Sequence, residues 1–204
     1  MDTSSSPTVN FSWNLPNVLT ISRVVLVPVF VVMLLLPNET VGRWLALLVF
    51  VIASITDRYD GLLARRRNMV TNFGKIADSF ADKLLTGAAF IMLSYLGSLP
   101  WWVTVIILAR EWGITAMRFA MVRKQVMAAG AGGKAKMVLQ IVGICLLLVP
   151  WVSLLGDRAG TGMVLVSQAV VYLAALLTVI TGIDYVVKAV KISRAHKASE
   201  RDGS

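Results

Sequence analysis

The chain has 204 residues, of which 57% are apolar and 15% charged, with a formal net charge of +9 and a mean hydropathy of +0.74. A soluble domain is about half apolar and about a quarter charged, so an ordinary water-soluble domain is excluded, and the same balance excludes intrinsic disorder. What remains is a polytopic membrane protein built on one domain.

Residues 1–12 begin Met1-Asp2-Thr3-Ser4-Ser5-Ser6-Pro7 and are expected to be a disordered start. They lack a basic region before an early apolar run, so they do not resemble a signal peptide. Charge-free apolar runs follow at 24–38, 44–56, 84–109, 137–156 and 159–183. A spanning helix needs about 20 mostly apolar residues. The third run breaks at Gly97-Ser98-Leu99-Pro100, a turn signal, and its second half continues past Arg110 and Glu111 to Val122. This predicts an all-α fold of six transmembrane helices, over 18–36, 42–60, 75–96, 100–123, 136–155 and 162–187, with a kink at Pro28. The runs do not alternate, which excludes barrel strands. Residues 13–193 form the expected membrane domain, and 194–204 a polar cytoplasmic tail.

Basic residues set the orientation. The second connection holds Arg58, Arg65, Arg66, Arg67 and Lys75, the fourth Arg123, Lys124, Lys134 and Lys136, and the tail Lys188, Lys191, Arg194, Lys197 and Arg201. The other side holds only Arg43 and Arg158. The positive-inside rule therefore puts both termini and the even connections in the cytoplasm, in a cell membrane. The positive charge suits an anionic leaflet or substrate. It borders spans and forms no arm of its own, so no nucleic-acid partner is expected. Cys145 is expected to be a buried inert thiol, His196 a solvated residue, and Lys83 a snorkelling one.

Acidic residues are few, yet Asp57, Asp60, Asp78 and Asp82 fall close together across the second connection. Asp57 and Asp60 share one helix face, as do Asp78 and Asp82. One pair ends the second span and the other begins the third, so both lie at one membrane depth and can face each other. Four carboxylates in a partly desolvated place repel unless divalent cations sit among them. All-oxygen ligation points to Mg²⁺, Mn²⁺ or Ca²⁺, and no His or Cys is nearby to favour zinc. Gly61, Ala64 and Gly74 lie beside the carboxylates and leave room for a ligand or for close helix packing.

Residues 57–82 read Asp-x2-Asp-Gly-x2-Ala-Arg-x8-Gly-x3-Asp-x3-Asp. This resembles the signature of the CDP-alcohol phosphotransferase family of integral membrane enzymes, and every fixed position is met. The resemblance implies a transfer in which an alcohol hydroxyl attacks a CDP-linked donor and CMP leaves. It implies that Asp57, Asp60, Asp78 and Asp82 hold two divalent cations, Mg²⁺ or Mn²⁺. It implies a CDP site at Asp57, Gly61, Ala64, Arg65, Gly74 and Asp78, with Arg65 on the pyrophosphate, and Asp82 as the catalytic base. It also implies a homodimer. Ser79, where many relatives are expected to carry proline, and Arg58 depart from the pattern without touching a fixed position.

The acceptor is read from other charges. Arg110 and Glu111 lie inside the apolar fourth helix, where ionisable residues are costly and function is the default hypothesis. Arg118 follows Glu111 by seven residues, and Lys134 and Lys136 open the fifth helix. Arg110, Arg118, Lys134 and Lys136 can bind an acceptor phosphate. The plainer alternative pairs Glu111 with Arg118 or Arg110 and leaves the lysines as topology signals. Ala109-Arg-Glu-x3-Thr-x2-Arg118, Gly133-Lys-x-Lys-x3-Gln140 and Pro16-Asn17-x-Leu19-Thr20-x2-Arg23 are similar to one branch of the family. That branch implies CDP-diacylglycerol as donor and sn-glycerol 3-phosphate as acceptor. Competing expectations are inositol phosphate, serine or phosphatidylglycerol as acceptor, an intramembrane prenyltransferase, or a divalent-cation transporter. Transport sites usually lie nearer the midplane at broken helices.

Overall fold

The computed structural model describes the backbone of residues 15–66, 72–121 and 131–202, and the side chains of residue 22 and of residues 24–56, 83–117 and 136–187. The described residues form six helical elements and no strand: α1 (Leu15–Leu34), α2 (Glu39–Arg66), α3 (Asn72–Tyr95), α4 (Trp101–Met121), α5 (Ala131–Leu148) and α6 (Trp151–Asp202). The all-α expectation holds. α1 packs on α2 and α3, α5 packs on α6, and α4 bridges α6 and α3.

The helix ends follow from local chemistry. Pro28 lies inside α1, which is continuous through it. The Asn38 side chain accepts a hydrogen bond from the Val41 amide at 3.1 Å and caps α2. α3 ends in a Schellman arrangement. Gly97 has φ 73°, Ser98 N–H donates to Leu93 O at 2.9 Å and Gly97 N–H to Ser94 O at 3.1 Å. The expected turn at 97–100 is therefore where the sequence puts it.

The last two helices differ from expectation. The apolar run 137–156 suggests one helix to residue 155, but α5 stops at Leu148 and α6 starts at Trp151. Pro150 lacks the N–H that a continuing helix needs. The freed carbonyls are satisfied from outside the ladder: Trp151 Nε1 donates to Leu146 O at 2.7 Å and Arg43 Nη1 to Leu147 O at 3.1 Å. The connection expected near 156–161 corresponds to a break within α6: two helices meet at Gly156, with φ 77° and ψ 172°, and Gly160 lies back against Trp151 and Val152. Beyond Gly182 no Gly or Pro interrupts the chain before Gly203, and the helix runs to Asp202 through the segment expected as a tail.

Arg43 does more than mark topology. Its guanidinium also reaches Ser98 Oγ at 3.1 Å and Glu39 Oε1 at 2.9 Å, tying α2, the α3–α4 turn and the end of α5 together.

The core gathers Phe30, Phe50, Phe90, Leu93, Val103, Ile107, Ile144, Leu148 and Val171 from all six helices. Cys145 is half-buried at its edge, less enclosed than expected. The outer surface is as apolar as the interior: Val25, Val32, Leu48, Ile52, Val105, Leu165, Leu176, Ile180 and Ile183 are all exposed. Polar Ser94, Thr104, Ser167 and Thr178 are buried instead. Ser94 and Thr104 hydrogen-bond between α3 and α4, and Ser167 and Thr178 donate to carbonyls one turn back in α6, as polar groups inside a lipid-facing bundle must. Glu39–Thr56 and Trp151–Val187 are long and apolar enough to cross a membrane, with shorter apolar stretches at Val24–Leu34, Lys83–Tyr95 and Lys136–Leu148.

α5 and α6 approach closely at Gly143, where an added Cβ would lie 2.6 Å from Val171 Cγ2. Overpacking of this kind costs about 1–3 kcal/mol. Gly143→Ala is therefore expected to lower the thermal midpoint of the purified protein, and Val171→Ala to return part of the loss in the double variant. Strict additivity of the two changes would contradict this contact.

Candidate active site

Two groups of ionisable residues lie at one end of the bundle. Arg43 near the start of α2 meets Leu147 at the end of α5 and Ser98 just after α3, so the C-terminal end of α2 and the N-terminal ends of α3 and α5 share the opposite end. The backbone of Asp57, Asp60, Gly61, Ala64 and Arg65 belongs to the last turns of α2, and that of Gly74, Asp78 and Asp82 to the first turns of α3. Their side chains lie outside the described residues, as do those of Arg118 and Lys134, and so does the expectation that the two acid pairs face each other. Among the described residues no three His, Cys, Asp or Glu gather to hold a metal.

The second group is described in full. Lys136 is only 4% exposed although it carries an ammonium. Its Nζ pairs with Glu111 Oε1 across the α4–α5 interface. Gln140, one turn further along α5, directs Nε2 to the same oxygen at 3.4 Å. Arg110 Nη1 stands 3.8 Å from it. One carboxylate oxygen thus collects two cations and an amide. This corrects the plainer alternative: Lys136 is the close partner of Glu111 and not a topology signal alone, and Arg110 is the more distant one.

α6 holds Arg110 from the other side. Nη2 donates to Thr181 Oγ1 at 3.0 Å, and the guanidinium carbon lies 5.9 Å from the centre of the Tyr185 ring. Gly182 leaves the space that the arginine stem uses, since a Cβ there would meet Arg110 Cγ at 3.1 Å. Arg110 also borders an apolar groove of about 620 Å³ between α4 and α6, lined among others by Ile106, Gly113, Ile183 and Val186. Lys83, the residue after Asp82, is half-buried and within electrostatic range of Lys136.

The structure therefore brings Arg110 and Lys136 together, of the four cations assigned to an acceptor phosphate. Thr181, Gly182 and Tyr185 escaped the sequence reading, because nothing local distinguishes them within an apolar helix. Gln140 stood in a quoted motif without a role. Its spacing of four from Lys136 was the available signal.

An all-helical bundle with an apolar exterior and buried polar side chains is the architecture of a membrane protein. The CDP-alcohol phosphatidyltransferase family description matches residues 13–181. The chain belongs to that family. It is 48% identical over 180 residues to a Mycobacterium tuberculosis (strain CDC 1551 / Oshkosh) protein named "Probable phosphatidylglycerophosphate synthase", covering 87% of this chain and 82% of that one. It is 39% identical over 176 residues to the CDP-diacylglycerol–glycerol-3-phosphate 3-phosphatidyltransferase of Rickettsia typhi, covering 84% and 94%. The Bacillus subtilis protein of the same name is 38% identical over 148 residues, covering 67% and 77%.

Removing a hydrogen bond to a charged group costs about 1.5 kcal/mol at the lower end of its range, which suits a partly exposed partner. Thr181→Val is expected to lower the thermal midpoint accordingly, while Thr181→Ser, which keeps the hydroxyl, stays near wild type. Equal midpoints for the two variants would remove Thr181 as the support of Arg110.

Proposed function

We propose that the protein is a phosphatidylglycerophosphate synthase. It transfers the phosphatidyl group of CDP-diacylglycerol to sn-glycerol 3-phosphate and releases CMP. The observation that carries the acceptor is the convergence of Arg110 and Lys136 on Glu111, two cations gathered on one carboxylate. The names of the relatives agree with it.

On this reading an acceptor hydroxyl attacks the phosphorus that carries the diacylglycerol. The bond to the CMP oxygen breaks, CMP keeps the electron pair, and Asp82 takes the hydroxyl proton. A carboxylate can act as such a base when held against its proton donor. Asp57, Asp60, Asp78 and Asp82 form an all-oxygen donor set that fits two hard divalent cations, Mg²⁺ or Mn²⁺. Such ions neutralise a pyrophosphate and the charge that develops on the leaving oxygen. Gly61, Ala64 and Gly74 leave room for the CDP moiety beside Asp57 and Asp78, and Arg65 meets the pyrophosphate. Arg110, Arg118, Lys134 and Lys136 receive the acceptor phosphate, Arg through paired N–H donors and Lys as a point charge.

The same reading includes six spans in the cell membrane, with the site at the cytoplasmic face and both termini on that side, and a homodimer. The asymmetry of basic residues supports this orientation. A lipid-anchored donor then arrives sideways, and a water-soluble acceptor from the cytosol.

Purified protein supplied with CDP-diacylglycerol and, in turn, glycerol 3-phosphate, serine, inositol phosphate or phosphatidylglycerol tests the acceptor through CMP release. Release with glycerol 3-phosphate alone is expected; release only with another acceptor overturns the choice. Asp82→Asn should lose about 10²–10⁴ in turnover, the usual contribution of a general base, and remain folded in the membrane. Near-normal turnover would take Asp82 out of that role.

A further inference from the structure

Glu111 is the residue on which the described cluster turns, and no part of the reaction above uses it. It sits inside α4, surrounded by a lipid-facing bundle where an ionised carboxylate is costly. Its Oε1 is shared by Lys136, Gln140 and Arg110. We infer that Glu111 is a positioning residue, whose carboxylate holds the Lys136 ammonium and the Arg110 guanidinium in one group, so that the acceptor phosphate meets both cations together. The inference rests on the functional reading above.

Three observations carry it. Lys136 is on a flexible four-carbon stem, which in an apolar setting swings its charge to the nearest water unless an anion retains it. Here it stays 4% exposed, and Glu111 is the anion that retains it. Gln140 fixes the direction of the same carboxylate from the next turn of α5, so the holding group is itself held. Finally, the same Oε1 that pairs with Lys136 stands 3.8 Å from Arg110 Nη1, so one carboxylate sets the spacing of both cations.

The experiment uses the full chain in lipid nanodiscs with CDP-diacylglycerol and varied glycerol 3-phosphate. Glu111→Gln keeps the shape and removes the charge. It is expected to raise KM for glycerol 3-phosphate by about tenfold while KM for CDP-diacylglycerol stays within about twofold, the signature of lost acceptor binding. Glu111→Asp keeps the charge on a shorter arm and is expected to give an intermediate rise of about threefold in the acceptor KM alone. An unchanged acceptor KM in Glu111→Gln overturns the inference, as does a proportional rise of both KM values, which marks a general lesion. If Glu111→Gln is not recovered folded, Glu111→Asp decides, and an unchanged acceptor KM there overturns the inference equally. A wild-type protein that releases no CMP with glycerol 3-phosphate defeats the functional reading and this one with it. A normal wild type with unresponsive Glu111 variants defeats only the positioning role.

Discussion

An ammonium enclosed by apolar helices has no water to solvate it, so its counter-charge has to be built into the fold. Moving an ion out of water costs several kcal/mol even after the surroundings relax. Lys136 meets that cost with Glu111, and the pair links α5 to α4. Stability alone is a poor reason for such an arrangement. Replacing a buried pair by apolar residues is often neutral or stabilising, whereas removing one partner costs about 3–5 kcal/mol. On the proposed reading, a pair kept in an otherwise apolar bundle next to a second cation is explained by what it binds.

The remaining helices make that arrangement rigid. α6 supplies Thr181 to one guanidinium nitrogen of Arg110, the Tyr185 ring to its face, and the absence of a side chain at Gly182 to its stem. The other end of the bundle is fixed separately, by Arg43 bonding to α2, α5 and the α3–α4 turn. α4 is thereby placed by contacts on two sides: the Ser94–Thr104 hydrogen bond at 2.7 Å holds it to α3, and Arg110 holds it to α6. An arginine braced at several points loses little freedom on meeting a ligand, and binding is stronger for it.

Hydropathy made six helices legible because lipid imposes one rule on every span. It misjudged the end of α5, since apolarity is blind to backbone chemistry: Pro150 is as apolar as its neighbours but donates no hydrogen bond. The acid motif was legible through its spacing, and its backbone lies on the ends of α2 and α3, where the hydropathy pattern predicts it. The Glu111–Lys136 pair was not. Its members stand on different helices with a connection between them, and no periodicity within one helix links them. The sequence offered Glu111 two arginines on its own helix as partners; Arg110 stands 3.8 Å away, and tertiary packing adds a closer lysine from the next helix. Thr181 and Gly182 were hidden for the same reason, because their meaning lies in what α4 brings opposite them.

The two halves of the site are joined through α3. Asp82 belongs to the acid motif, and Lys83 beside it acts on Lys136 of the cationic cluster. On the proposed reading this nearness has a purpose. A pyrophosphate donor and a phosphate acceptor are both anions, and bringing them within reacting distance requires positive charge on the acceptor side that is fixed before either arrives. A lysine on α5 and an arginine on α4, restrained by one carboxylate, provide that field at the border of the acid motif, with Glu111 holding both in place for the second anion.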